Sequence, residues 1–241
     1  MSSRTLSFAL CAALLAGSFG ALAQEAQIKK SIDSHLPQLK GVQEVRKTPM
    51  PGIYEIRVND TEIYYTDAKG EFLIQGEVYD LKSQRNLTKE RENVLTAVKW
   101  DSLPVKDAIT FTRGNGARKL AVFADPNCGY CKKFERDLLK VDNITVHVFQ
   151  IGILTPDSKA KNRAIWCARD KGQAWLDWMV KGTAPAEAAA MCDSSATTRN
   201  EAFAKKVRIN STPTLLFEDG TRQAGAISTE ELEQQFASVK K

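Results

Sequence analysis

Cys128-Gly129-Tyr130-Cys131 is the segment whose residue types and spacing can do covalent chemistry. Two cysteines with two residues between them close a small disulfide, or open to give a thiolate beside a resolving thiol. Residues 119–124 before them form a short apolar run that predicts a buried strand. Phe134, Leu138 and Leu139 after them recur at helical spacing. A strand feeding a CxxC at the start of a helix is a redox-active arrangement. Cys128 then sits before or at the first helical turn, where the helix dipole and free N–H groups favour an anion and lower a thiol pKa. Lys132, Lys133 and Arg136 add positive charge nearby. Cys128 is therefore the predicted nucleophile. Cys131, inside the first turn and shielded, suits the resolving role, while Gly129 and Tyr130 set backbone geometry and cover between the sulfurs.

The competing readings of this pair are an inert disulfide and half of a zinc site. Structural zinc calls for two closely spaced ligand pairs. Cys167 and Cys192 are lone residues far apart, and neither His35 nor His147 stands beside them. No metal and no cofactor is expected. Cys167 and Cys192 both fall in a helical stretch. A bridge between them would staple that stretch and stabilise it by about 3 kcal/mol; a second redox-active pair is the other reading. Thr212-Pro213 opens a strand near the C-terminus, where proline is unusual because it lacks a donor. A cis bond there would explain it, an ordinary trans proline at a strand start being the alternative.

The elements that must hold these residues come in two groups. Residues 25–40 read as a short amphipathic helix with Ile28, Ile32 and Leu36 on one face, its end loosened by Pro37. From residue 42 to 81 the apolar period becomes two: Tyr54, Ile56 and Val58 alternate with Glu55 and Arg57, and turns fall at Asn59-Asp60 and residues 67–70. This is a small antiparallel sheet with one helix, too small to bury much core alone, and a second copy of itself is the simplest partner. Thr88 is placed to cap a helix running to about Trp100, with Val94, Leu95 and Val98 along one side, that reads as a stiff linker.

Beyond it, strands are predicted at 108–112, 119–124, 144–149 and 214–217. Helices are predicted after the CxxC to about Val141, through a long stretch from Ser158 to Val207, and at 229–239; Asp219-Gly220 offers a hairpin turn. The order β-α-β then β-β-α, with a helical insertion between, describes an α/β domain with a mixed sheet. The expected layout is a signal segment over 1–23, a sheet domain over 24–86, a linker helix over 87–105 and a catalytic domain over 106–241.

Arg4, the apolar stretch 6–19 and Ala21-Leu22-Ala23 read as a secretion signal cleaved after Ala23, an uncleaved anchor being the alternative. Cleavage leaves about 218 of the 241 residues and removes Cys11, so four of five cysteines remain, an even number that suits two disulfides in an exported chain. No other apolar run is long enough for a membrane helix. The formal charge of +5 is mild and scattered, with no basic stripe interleaved with aromatics, which gives nucleic-acid binding little support.

Residues 123–131, 164–171, Cys192 and 211–214, with the N-terminal stretches 63–70 and 73–81, resemble the DsbC/DsbG type of periplasmic thiol:disulfide interchange protein in the thioredoxin superfamily. The CGYC and the 167/192 pair favour the DsbC branch. The resemblance spans nearly the whole mature chain. It implies an α+β fold: a thioredoxin-like domain with a helical insertion, preceded by a small antiparallel-sheet dimerisation domain and a linker helix. It implies a V-shaped homodimer whose cleft takes misfolded disulfide-containing clients, and a membrane reductase of the DsbD type as electron donor. By position it makes Cys128 the attacking thiol, Cys131 the resolving thiol, Gly129, Tyr130, Thr212 and Pro213 substrate contacts with a cis Thr212-Pro213 bond, and Cys167 and Cys192 a structural disulfide. One position departs from the wider superfamily: where thioredoxins bury an acid, this chain has Val122.

The function implied is a periplasmic disulfide isomerase and reductase with chaperone activity as a companion. A dithiol oxidase runs the same chemistry in the other direction, and a holdase with an incidental CxxC is the reading from another class.

Overall fold

Apolar residues at two periods build three separate buried clusters. The structure is a computed structural model, and it describes residues 22–39 and 41–239. The expected secretion signal falls outside these residues except for Leu22 and Ala23, which are helical. The chain divides into two compact units between Leu95 and Thr96.

In the first unit a helix over residues 22–35 (α1) turns Ile28 and Ile32 inward, and a short 3-10 turn, Pro37–Leu39, follows. The helix stops before Pro37, short of the expected residue 40, because proline cannot donate into the preceding turn. Strands Glu44–Lys47 (β1), Ile53–Val58 (β2), Glu62–Asp67 (β3) and Leu73–Ile74 (β4) form an antiparallel sheet in that order. Ile56 and Val58 pack on Ile28, Ile32 and Val42, as alternation requires. Asn59 and Asp60 both take positive φ, 48° and 70°, the backbone of a tight hairpin turn between β2 and β3. A small ribbon, Tyr79–Asp80 (β5) with Arg85–Asn86 (β6), leads into helix Leu87–Thr96 (α2).

Three details of α2 differ from expectation. The helix ends at Thr96, with Trp100–Ser102 and Val105–Asp107 as separate 3-10 turns. Asn86, not Thr88, caps it: Asn86 Oδ1 accepts from Lys89 N at 2.9 Å, while the Thr88 hydroxyl is taken by Val78 N and Tyr65. Val94 is exposed rather than packed. The guanidinium of Arg91 joins α2 to the sheet through Glu44 (2.7 Å) and Glu55 (3.0 Å).

In the second unit, strands Ile109–Arg113 (β7), Arg118–Ala124 (β8), Ile144–Gln150 (β9), Thr214–Phe217 (β10) and Arg222–Ala224 (β11) form one sheet in the order β11-β10-β8-β9-β7. Only β8 and β9 run parallel. Helix Gly129–Leu138 (α3) makes the crossover between them. Leu120, Val122 and Ala124 of β8 point into one core with Phe134 and Leu138 of α3, Ile165, Trp175 and Leu232. Ala121 and Phe123 point into the other with Phe149, Leu216 and Ala204. Helices cover both faces, which is why β8 reads as an unbroken apolar run.

The insertion is not one long helix. It comprises Pro156–Trp166 (α4), Lys171–Leu176 (α5), a π-turn Asp177–Lys181, a non-helical segment and Ser195–Lys206 (α6). Gly182, at φ 75°, ends the π-turn in a left-handed conformation, and Pro185 follows. Helix Thr229–Ser238 (α7) closes the unit with a capping box between Ser228 and Glu231. Among the described residues no helix is long and apolar enough to cross a membrane.

Candidate active site

Cys128 is the N-cap of α3, with β-region backbone (φ −77°, ψ 117°). An N-cap side chain normally accepts from a backbone N–H of the first turn, and here that acceptor is sulfur: Cys131 N donates to Cys128 Sγ at 3.3 Å. The thiol of Cys128 meets the carbonyl of Thr212 at 3.3 Å, and Thr212-Pro213 is a cis peptide. The strand β10 thus brings its leading loop to the tip of α3. Both cysteines are free thiols, Cys128 5% exposed and Cys131 1% exposed.

The two sulfurs are held in opposite states. The neighbouring Cys131 thiol first, then the Thr212 side chain and the N–H groups of Cys131 and Tyr130, bring the Cys128 pKa down to about 5 against the opposing effect of burial. Burial first, and then the neighbouring Cys128 charge it donates to, pushes the Cys131 thiol far up, so it stays protonated. Gly129 and Tyr130 are open to solvent; Tyr130 is 70% exposed, and a side chain at Gly129 would meet nothing within 4 Å.

The chain ahead of Cys128 is fixed residue by residue. The carboxylate of Asp125, 0% exposed, accepts from Asn127 N (2.8 Å) and the Ser158 hydroxyl (2.7 Å) on one oxygen, and from Ile153 N (2.9 Å) and Leu154 N (3.0 Å) on the other. Its backbone carbonyl takes Cys128 N at 3.1 Å. Asn127 Nδ2 reaches Asp157 at 2.8 Å and Thr155 at 3.1 Å. The loop after β9 therefore sits beside the loop after β8, with Ile153 and Leu154 exposed.

Sequence reasoning missed Asp125 and the buried carboxyl of Glu135. Glu135 lies one turn beyond Cys131 and accepts from the Trp175 indole at 2.8 Å; burial raises its pKa to about 7, and Arg113 partly offsets this. The signal was present, since Glu135 falls in the same helical stripe as Phe134 and Leu138, where a polar residue must find a buried partner. Val122 is 1% exposed in the core beneath α3.

Cys167 and Cys192 are joined, with Cα atoms 6.0 Å apart, across a loop separation of 25. Arg163 binds the carbonyls of Ala189 and Ala190 at 3.0 and 3.1 Å beside the bridge. Among the described residues no three His, Cys, Asp or Glu side chains gather as a metal site.

The sequence matches the family described as disulfide bond isomerase protein N-terminal domain over residues 19–89, and the thioredoxin-like domain family over residues 105–240. It is 41% identical over 189 residues to a protein of Bordetella parapertussis named "Probable thiol:disulfide interchange protein DsbC", covering 78% of this chain and 66% of that one. The match thus spans just under two thirds of that relative's length. It is 28% identical over 229 residues to the thiol:disulfide interchange protein DsbC of Salmonella typhimurium, covering 91% of this chain and 89% of that one. Among solved structures it is similar to a disulfide interchange protein from Neisseria gonorrhoeae, at 36% identity and a TM-score of 0.53, over 56% of this chain and 96% of that one.

Proposed function

The chain belongs to the DsbC-type disulfide interchange proteins of the thioredoxin superfamily, and from that premise we propose that it is a periplasmic protein disulfide isomerase and reductase. The observation that carries the reading is the Cys128 sulfur at the tip of α3, ionised near neutral pH beside a buried thiol that is not. In the proposed cycle the Cys128 thiolate attacks a client disulfide. One sulfur of the client joins Cys128 in a mixed disulfide and the other leaves as a thiolate. A client thiolate then attacks the client sulfur of that bond, giving a new client disulfide and returning the Cys128 thiolate with no net oxidation. Otherwise Cys131 loses its proton and attacks Cys128. That releases a reduced client and leaves a 128–131 disulfide, which needs two electrons from a DsbD-type membrane reductase. Thr212 and Pro213, at the sulfur, are the substrate-backbone contacts, and Cys167–Cys192 is the structural bridge.

The first unit serves as the dimerisation domain, with 87–105 leading to the catalytic domain over 106–241. The edge strand β4 holds only two residues, and Phe72, Ile74, Tyr79 and Leu81 around it are exposed (69%, 48%, 57% and 87%). An apolar edge of this kind favours a second copy of the chain. Two arms around misfolded clients would add chaperone activity. The test is refolding of a scrambled disulfide substrate: Cys128→Ser abolishes isomerisation, and Cys131→Ser accumulates mixed disulfides. A fully active Cys128→Ser variant refutes the proposal.

A low Cys128 pKa also stabilises the reduced form, which is the property of an oxidase. The redox state of the 128–131 pair in cells decides between the two: mostly reduced for an isomerase, mostly oxidised for an oxidase.

A further inference from the structure

Trp178 lies on the π-turn Asp177–Lys181 in the insertion, far from the CxxC in sequence, yet it touches the chain on both sides of it. Its indole N–H donates to the carbonyl of Pro126 at 2.6 Å, two residues before Cys128. The Lys132 ammonium, one residue after Cys131, sits 3.8 Å from the ring centroid, and the Lys161 ammonium of α4 sits 4.8 Å from it. Lys161 in turn pairs with Asp157, whose carboxylate holds Asn127. The ring is thereby pinned by cations from two helices, an arrangement favourable on the face of an indole.

Building on the disulfide-interchange reading, we propose that Trp178 is a positioning residue for Cys128: its indole N–H fixes the Pro126 carbonyl and so holds the attacking sulfur over the first turn of α3. Three residues precede the sulfur between the end of β8 and the N-cap. Asp125 is fixed by four donors, and Asn127 by Thr155 and Asp157. The Pro126 nitrogen has no hydrogen to donate, so its carbonyl is the polar group through which this residue is held, and Trp178 takes it. Cys128 Sγ depends on that fixity because it accepts from Cys131 N at 3.3 Å, where a small rotation loses the contact. Lys132 is half-buried and leaves α3 toward the ring, so the indole and the helix are located by each other.

The role is tested on the full chain in its reduced state by the pH dependence of iodoacetamide alkylation of Cys128, with thermal unfolding measured alongside. Trp178→Phe keeps an aromatic face for Lys132 and Lys161 while removing the N–H together with one ring of the indole. The expected result is an upward shift of the alkylation midpoint by about half a unit, and by about one unit for Trp178→Ala. One unit corresponds to a tenfold loss of thiolate at any pH below the midpoint. Variants that unfold at lower temperature while their profiles superpose on the parent's would overturn the role, because a merely structural tryptophan moves stability alone. Should Trp178→Ala fail to fold, Trp178→Phe carries the test by itself. A parent midpoint at the ordinary thiol value of about 8.5 would overturn the disulfide-interchange reading, and this inference with it. A low parent midpoint shared by Trp178→Phe overturns only the role of Trp178.

Discussion

Removing the carboxylate of Asp125 is the most informative single perturbation of the loop that carries Cys128. Asp125→Ala strands three backbone N–H groups, of Asn127, Ile153 and Leu154, and the Ser158 hydroxyl. Bonds to a charged acceptor contribute about 1.5–3 kcal/mol each, but these share one acceptor group. Ile153 and Leu154 are exposed, so water reaches their amides once the carboxylate is gone. The net cost is about 4 kcal/mol, at the upper end for a point substitution. Asp125→Asn is milder. The amide oxygen best faces Ile153 and Leu154, and the NH2 then donates to a rotated Ser158 hydroxyl and opposes Asn127 N–H, so one partner and the charge are lost, at about 2 kcal/mol. All four tryptophans, Trp100, Trp166, Trp175 and Trp178, lie in the second unit, so tryptophan fluorescence reports its unfolding alone. A unit of this size should melt roughly 10–15 °C lower for Asp125→Ala. An Asp125→Ala variant within about 1 kcal/mol of the parent, or an Asn variant as stable as the parent, would show that the carboxylate is not what joins the two loops.

Glu135 titrates higher in the fold than in the unfolded chain, so the unfolded state binds fewer protons between pH 4.5 and about 7 and stability falls as pH rises through that window; Glu135→Gln, which still accepts from Trp175, should flatten this decline relative to the parent in denaturant unfolding. Replacing Cys167 and Cys192 together by serine should cost about 3 kcal/mol and also raise the Cys128 alkylation midpoint, since Trp178 lies within the closed loop; unchanged chemistry at Cys128 would uncouple the bridge from the site. Ile74→Lys places a charge on the exposed edge strand and should yield monomers by sedimentation with the second unit's fluorescence unchanged, whereas an intact dimer would move the interface elsewhere.

Much of this site was legible because its signals are local. The unbroken apolar run of residues 119–124 and the cap-like place of Cys128 follow from neighbours along the chain, and both stand within a residue of expectation in β8 and α3. The Thr212-Pro213 pairing with the sulfur came from resemblance, since spacing of 84 residues encodes no contact. What failed to show depends on competition between partners. Thr88 has the chemistry of a cap, but its hydroxyl is claimed by Val78 N and Tyr65, leaving Asn86 for the helix. The insertion reads as one helix by composition, yet Gly182 and the bridge to Cys192 break it. Trp178 carries no local signal of a role, and only the fold reveals that its N–H serves a loop 52 residues away.

The depressed pKa of Cys128 invites the explanation that it speeds attack, but the magnitudes argue otherwise. Lowering a thiol from about 8.5 to about 5 raises its thiolate fraction at pH 7 from about 3% to about 99%, roughly a thirtyfold gain. Nucleophilicity falls with basicity at a Brønsted slope of about 0.4–0.5, so the same change weakens each thiolate by roughly 25- to 55-fold. The two nearly cancel, and attack gains little. Departure does gain, because a thiolate of low basicity is the better leaving group from a mixed disulfide. Cys131 adds the complementary constraint: only 1% exposed and held protonated, it is slow to attack Cys128. A mixed disulfide whose enzyme sulfur leaves readily, beside a resolving thiol that waits, gives client thiols time to try other pairings. In the proposed cycle this asymmetry between two cysteines three residues apart favours reshuffling over immediate reduction, and it arises from hydrogen-bond donors at a helix N-terminus and the depth of one turn.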